Sequence, residues 1–407
     1  MSTQPSSPVP ASAPSPEPSP APEPAPSPAP EPEPPSPRPR RVVITAGGTA
    51  GHANPALAVA QELRHLGLEV HFAGTPQGIE ARLVEQEGFP FVAFAASGFN
   101  RVRPWTLLTS SFVLQASAHR AQKWLQSLRP QVVVGFGGYA SIPVGLAASR
   151  LGIPLAIHEQ NSRPGMANRF LARRAQLVAL TYGAAGERLR SAGETVQTGN
   201  PVRASLLGVD PAAARASFGI PANASVLLAF GGSLGARHLN EALFAQADRL
   251  LAHENLHVLH ISGTRDYESA RTRLAKGSYA TRWHLLDYCD RMGEAYAAAD
   301  LVLSRAGATS LAELAALAKP ALLIPYPHAA ADEQTANACN LVRAGGARML
   351  ADAELDTPRF VETLEELLLN AAERSRMSDA LRTLGGATAR QELARLIIAL
   401  AEADTSS

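Results

Sequence analysis

Short apolar runs recur along this chain, each ending in a glycine-rich or polar loop that leads into a segment with apolar positions three and four residues apart. Val42-Val43-Ile44 precedes the loop Thr45 to Asn54, Val132-Val133-Val134 precedes Phe136 to Ser141, Val226 to Phe230 precedes Gly231 to Ala236, and Leu301-Val302-Leu303 precedes Ser304 to Gly307. An apolar run bounded by turn residues reads as a buried strand, and the helical period after it as an amphipathic helix. Val70 to Ala73, Leu155 to Ile157, His257 to Ile261, Trp283 to Leu286 and Ala321 to Ile324 read as further strands, the last stopped by Pro325-Tyr326-Pro327. Strand, loop and helix repeated in this order predict parallel βαβ units, with ligand loops at the carboxyl ends of the strands.

The pattern divides in two. Glycine-rich turns at strand ends occur in both halves, and the breaker cluster Gly199-Asn200-Pro201 lies between them. The fold class is therefore α/β, with two Rossmann-like domains of parallel sheet, 41–200 and 201–385, facing each other across a cleft. In the first unit Asn54 is the expected N-cap and Pro55 the first helical residue, with Val59, Leu63 and Leu66 on the buried face. In the second, a helix is expected from Leu239 to Leu251, and Leu311, Leu314, Ala315 and Ala318 mark another. Residues 386–407 hold a C-terminal helix with Leu393, Ile397 and Leu400 on one face, whose docking place the pattern does not reveal. Residues 1–40 alternate proline with alanine, serine and glutamate, as a disordered, polyproline-like tail does.

Composition narrows the functional classes. With 37 basic against 36 acidic residues, nothing points to a nucleic-acid partner. Cys289 and Cys339 are far apart and form no metal or CxxC spacing, so a reducing compartment is the simple inference. No apolar run approaches the ~18 residues that span a bilayer, and the start lacks the charged and apolar regions of a signal peptide. Any membrane contact is peripheral. For that contact the segment with Phe99, Arg101, Arg103, Trp105, Leu107, Leu108, Phe112 and Val113 offers basic residues interleaved with aromatics and leucines, which suits an anionic membrane surface. An ordinary loop followed by a core-facing helix fits the same pattern.

The loops carry the candidate chemistry. Gly47 to His52, GGTAGH, looks like a dinucleotide fingerprint, but the second strand ends in Gly74-Thr75 and lacks the acidic residue that a nicotinamide enzyme uses on the ribose. Gly307 and the helix start after it suit a phosphate. Glu313, three residues after Ser310, fits either a capping box or a carboxylate that accepts the two hydroxyls of a ribose. His158-Glu159-Gln160-Asn161 at a strand end suits a polyhydroxyl ligand, or a loop satisfied within itself. Taken from the residues alone, His52 reads as a histidine that caps this turn or bonds to its backbone.

The stretches GGTAGH (47–52), FGGYAS (136–141), HEQN (158–161), GNPVR (199–203), GGSLGA (231–236), SRAGATSLAE (304–313) and DEQTANA (332–338) together resemble, in order and spacing, the MurG family of peptidoglycan N-acetylglucosaminyltransferases, glycosyltransferase family 28 with the GT-B fold. The resemblance covers Arg41 to about Ala401. It implies inverting transfer of N-acetylglucosamine from UDP-GlcNAc to the muramoyl 4-hydroxyl of lipid I, an undecaprenyl-pyrophosphoryl-muramoyl-peptide, to form lipid II. It implies no cofactor and no metal, and work at the cytoplasmic face of the plasma membrane. By the same likeness the Cys289 backbone faces uracil, Glu313 takes the ribose, and Ser233, Thr309, Ser310 and Arg203 surround the diphosphate. Gln334 and Asn161 read the sugar, Thr49, Ala50 and Gly51 close on it, His52 is the base, and Tyr139 lies toward the acceptor. Three positions depart from the family pattern: Ala50 where glycine is usual, Leu234 for glutamine, and Glu333 for histidine or glutamine. Related GT-B enzymes with another sugar nucleotide or acceptor, a UDP-sugar epimerase, and a non-catalytic UDP-sugar-binding scaffold are the alternatives.

Overall fold

The computed structural model describes residues 40–95, 106–232, 235–275, 279, 281–384 and 386–403, with the backbone alone at 106–111. The proline-rich tail, the segment with Phe99, Arg101, Arg103 and Trp105, and Ser233 and Leu234 lie outside the described residues, as do the side chains of Leu107 and Leu108.

Two parallel sheets form the molecule. The first contains β1 (Arg41–Thr45), β2 (Glu69–Gly74), β3 (Phe91–Ala93), β4 (Val132–Gly135), β5 (Leu155–Glu159), β6 (Leu177–Leu180) and β7 (Glu194–Gln197) in the order β3-β2-β1-β4-β5-β6-β7. The second contains β8 (Ser225–Phe230), β9 (Leu256–Ile261), β10 (Trp283–Leu286), β11 (Leu301–Ser304), β12 (Ala321–Leu323) and β13 (Ala347–Met349) in the order β10-β9-β8-β11-β12-β13. Strand order reverses between β1 and β4 and between β8 and β11, so each sheet has its ligand crevice where two of the glycine loops emerge.

Helices of the first half are α1 (Ala50–His65), α2 (Ile79–Gln86), α3 (Thr106–Leu128), α4 (Ser141–Leu151), α5 (Met166–Leu171) and α6 (Gly183–Gly186). Those of the second half are α7 (Pro211–Ser217), α8 (Arg237–Ala245), α9 (Ala247–Leu251), α10 (Tyr267–Leu274), α11 (Met292–Ala298), α12 (Ala308–Ala316), α13 (Glu333–Arg343), α14 (Pro358–Leu369) and α15 (Ala371–Leu384), followed by α16 (Ala389–Ala403). Among the described residues no helix is long and apolar enough to cross a membrane.

Both faces of each sheet are covered, which is why the strands read as unbroken apolar runs. Val42, Ile44, Val132 and Val134 pack with α1 on one side of the first sheet, and Val43, Val133, Leu155 and Ile157 with α3, α4 and α5 on the other. The last helix crosses back: Leu393, Ala394, Ile397 and Ala401 are fully buried against α1 and β4. Burial of Leu393 and Ile397 stabilises this docking by about 1.5–3 kcal/mol each. Arg390 adds an ion pair to Glu62 at 2.7 Å.

Three local expectations are corrected. Helix α1 begins four residues before Asn54, with Thr49 as N-cap, and Pro55 lies inside it. Leu66 follows the helix end and is 50% exposed, because the chain turns there at Gly67 with φ 84°. The helix expected from Leu239 to Leu251 is two helices broken at Gln246, whose backbone sits at φ −101°, ψ 7°.

Candidate active site

The loops after β1 and β4 interlock at the carboxyl edge of the first sheet. Gly138 has φ 76°, and a Cβ there would lie 2.1 Å from the Gly47 carbonyl oxygen, so no other residue lets the two loops meet. The turn itself is made by Gly48 at φ 87°. Ala50 is the first residue of α1 and does not require positive φ, so its methyl group brings no backbone strain. His52 lies in the first turn of that helix. Its Nδ1 is 3.0 Å from Thr49 Oγ1, and a Cβ on Gly137 would sit 3.0 Å from its Cδ2. Burial lowers the His52 pKa, while a hydrogen bond with the Gly47 backbone and the charge of Glu80 act in the opposite sense. The ring is therefore neutral at pH 7 and able to take a proton.

Pro55 has a consequence beyond its position. With no N–H, it cannot donate to the carbonyl four residues earlier, that of Gly51. Thr309 Oγ1, from α12 of the other domain, donates to this carbonyl at 3.2 Å. The gap in one helix is filled from across the cleft.

The end of β5 is largely closed in on itself. His158, Glu159 and Gln160 are 0–1% exposed. His158 Nε2 donates to the Gly199 carbonyl at 2.9 Å, Gln160 Nε2 donates to Phe136 O at 2.9 Å and lies 3.1 Å from His158 Nδ1, and burial lowers the His158 pKa to about 4. Glu159 accepts from Asn161 N and Gly165 N at 3.0 Å and from Asn168 Nδ2 at 2.9 Å, and burial raises its pKa. The satisfied-loop reading fits His158 and Glu159, whereas Gln160 keeps its buried Oε1 without a partner in the structure. Asn161 lies on a polar seam between the domains: its Oδ1 accepts from Asn337 Nδ2 at 3.0 Å, Ser162 N donates to Asn337 Oδ1 at 2.8 Å, and Asn340 Nδ2 donates to Ser162 Oγ at 2.9 Å. Arg163 also donates to the Ala331 carbonyl.

The second domain supplies the opposite wall. Gly307 is the N-cap of α12, with no side-chain capping hydrogen bond, so Ser310 is a helical residue and the capping-box reading of Glu313 gives way. The first N–H groups of α12, at Ala308, Thr309 and Ser310, are left for an anion. Glu313 is 8% exposed and accepts from Tyr296 Oη at 2.8 Å, which leaves its second oxygen for a ligand. Burial raises the Glu313 pKa, while the Tyr296 hydrogen bond and the Arg203 charge hold it down. Arg203 Nε is buried with no partner in the structure. Gln334 Oε1 accepts from Ala306 N at 3.0 Å and Tyr326 N at 2.9 Å, which fixes the amide and leaves its NH2 to donate. Cys289 is buried beyond β10, with its thiol pKa raised by burial. Glu333 opens α13, and its pKa is raised by burial and by Glu159. Tyr139 is partly buried in the loop between β4 and α4.

The structure thus brings Gly51 against Thr309, with Thr49, Ala50 and His52 in the same turn, and places Glu313 beside Arg203. Glu80, Tyr296, Asn337 and Asn340 belong to the same surroundings and were not anticipated. Among the described residues no group of three or more His, Cys, Asp or Glu side chains could hold a metal ion.

Comparison with known proteins gives a consistent result. Residues 42–180 match the glycosyltransferase family 28 N-terminal domain, and residues 226–395 the glycosyltransferase family 28 C-terminal domain. The chain is 38% identical over 363 residues to the UDP-N-acetylglucosamine--N-acetylmuramyl-(pentapeptide) pyrophosphoryl-undecaprenol N-acetylglucosamine transferase of Halothermothrix orenii, spanning 88% of this chain and 98% of that protein. It is 41% identical over 372 residues to the protein of the same name from Chlorobaculum parvum, spanning 89% of this chain and 100% of that one. The crystal structure of Acinetobacter baumannii MurG is similar with a TM-score of 0.71 at 31% identity, covering 88% of this chain and 99% of that one.

Proposed function

This chain belongs to glycosyltransferase family 28, and from that membership and the cleft we propose that it transfers N-acetylglucosamine from UDP-GlcNAc to the muramoyl 4-hydroxyl of an undecaprenyl-pyrophosphoryl-muramoyl-peptide, with inversion. One observation carries the assignment of residues: the loop that bears neutral His52 is hydrogen-bonded, through Gly51, to Thr309 at the anion-ready start of α12. A base and a phosphate site are thereby held on opposite walls, as in-line displacement requires.

In this reading the acceptor oxygen forms a bond to the anomeric carbon as the bond to the UDP oxygen breaks, and His52 takes the hydroxyl proton. The first N–H groups of α12, the hydroxyls of Thr309, Ser310 and Ser233, and Arg203 meet the charge that develops on UDP. The free oxygen of Glu313 accepts from the ribose, the NH2 of Gln334 donates to the sugar, and the backbone at Cys289 faces uracil. Thr49, Ala50 and Gly51 close over the donor, and Asn161 reaches the sugar when the seam parts. The first domain takes the acceptor with Tyr139 near it, and the second takes the donor. Phe112, 79% exposed near the start of α3, supports a peripheral docking surface with Arg101, Arg103, Trp105, Leu107 and Leu108 on the anionic, cytoplasmic face of the membrane.

The test is transfer of labelled GlcNAc from UDP-GlcNAc to a short-chain lipid I analogue by the wild type and by His52→Ala. Transfer by the wild type, with turnover in the variant lowered by a factor of about 100 or more and UDP-GlcNAc affinity retained, is the expected result. Saturable donor binding with no transfer by the wild type would refute the acceptor assignment, and full turnover by His52→Ala would remove His52 from the chemistry.

A further inference from the structure

Behind the loop that carries His52 lies a carboxylate that the reaction above does not use. Glu80, in the first turn of α2, is 1% exposed. It accepts from Thr75 N at 2.9 Å and Thr75 Oγ1 at 2.6 Å through Oε1, and from Gly48 N at 3.3 Å through Oε2. Three glycines make room for it: a Cβ would lie 3.3 Å from Glu80 Oε1 at Gly47, 2.7 Å from Glu80 Cγ at Gly74, and 2.1 Å from the carboxylate at Gly78. A buried carboxylate is retained where its hydrogen bonds hold something in place. Here one of those bonds reaches Gly48, the positive-φ residue of the turn that leads to Thr49 and His52.

We infer that Glu80 is a positioning residue for His52, gripping the glycine loop through Gly48 and holding a carboxylate behind the imidazole. The inference rests on the reading of His52 as the base. Geometry supplies the grip. Among the described residues Glu80 is the charged group whose field acts on His52, and it raises the affinity of the ring for a proton against the opposing effect of burial. The other groups placed against the ring are neutral: the Thr49 hydroxyl from its own turn, and the Gly137 backbone with the Asn168 amide beside it, from the side of β4 and α5. Glu159, beyond Asn168, is occupied by donors of its own loop and by that amide.

The experiment uses the full chain as wild type, Glu80→Gln, Thr75→Val and His52→Ala. The His52 ring is titrated by NMR in histidine-labelled protein, with the signal assigned by its loss in His52→Ala, and kcat/KM is measured against pH. Glu80→Gln removes the charge and should lower the His52 midpoint by about half a pH unit or more. The acid limb of kcat/KM should move down by the same amount, while KM for UDP-GlcNAc stays within about twofold. Thr75→Val keeps the charge but removes a hydrogen bond that spreads it, so the midpoint should rise. A merely structural role would lower kcat in both variants and leave the midpoints alone. An unmoved midpoint in Glu80→Gln, or a fall in Thr75→Val, overturns the proposal; if Glu80→Gln does not fold, the sign of the Thr75→Val shift decides. An acid limb that persists in an active His52→Ala protein would instead defeat the reading of His52 as base, while the NMR titration would still report on Glu80.

Discussion

Lowering the pH from 7 to 5 should weaken the second domain through His260, a fully buried histidine that folding keeps neutral. Its Nε2 donates to Asn240 Oδ1 at 2.9 Å, its ring lies against Phe244 at 4.9 Å, its Nδ1 has no partner, and burial lowers its pKa from 6.5 to about 3. The unfolded chain therefore binds a proton that the folded chain refuses, and stability falls as the pH drops below the unfolded value. Each pH unit between the two values costs about 1.4 kcal/mol, so about 2 kcal/mol is lost by pH 5. His158, with a pKa lowered to about 4, adds a loss of the same order in the first domain. Glu313, whose pKa is raised by burial, acts in the opposite sense and offsets part of the effect in the second domain. The clean measurement is a difference: urea unfolding of the wild type and His260→Gln at pH 7, 6 and 5. Trp283 emission is the probe, with Trp105 and Trp124 replaced by Phe, because Trp283 stacks on Phe244 at 5.4 Å beside His260. Glutamine can still donate to Asn240 but does not titrate, so the variant should lose about 2 kcal/mol less between pH 7 and 5. Parallel stability curves for the two proteins would show that His260 is not held neutral by the fold, and the reasoning would fail.

Other outcomes follow from the cleft. Glu313→Gln should raise KM for UDP-GlcNAc by about tenfold or more, since a hydrogen bond to a charged group is worth about 1.5–3 kcal/mol; steady-state kinetics with varied donor checks this. Pro55→Ala restores an N–H that competes with Thr309 for the Gly51 carbonyl, so kcat should fall a few-fold even as the isolated helix improves by about 3 kcal/mol in propensity; turnover and thermal melting read the two effects separately. Asp352 and Asp356 raise the pKa of His238, so its contribution to stability is full below the ordinary value of about 6.5 and is lost as the pH rises through the folded value. Melting curves from pH 5 to 8 should show that term in the wild type and not in His238→Ala.

The central strands and their loops were legible because each is covered on both faces, so β1, β4, β8 and β11 each carry a run of apolar residues that leads within three residues to a glycine. Three of the edge strands were not: β3 and β13 span three residues each, and β7 reads Glu194-Thr195-Val196-Gln197, a polar edge held by pairing to β6. Pro55 misled because proline is tolerated at the start of a helix, whereas here the helix begins earlier and the missing rung is filled by a distant threonine. Glu313 was open to two readings until the N-cap proved to be Gly307. Glu80 and Asn337 left no periodic signal, since Gly48 and Asn161, which they hold, lie far away in sequence; the one local hint of Glu80 was an acidic residue shortly after glycines at 74 and 78.

The seam formed by Asn161, Ser162, Asn337 and Asn340 has a mechanical consequence. Its groups are uncharged, and water can replace each partner at a net difference of about 0.5–1.5 kcal/mol per bond. An oily seam would resist separation because carbon would be wetted, and an ionic seam would loosen as salt screened it. A fastener of neutral amides does neither: it releases and re-engages with little hysteresis, it is indifferent to ionic strength, and its alignment comes from the direction of its bonds rather than from the force with which it holds.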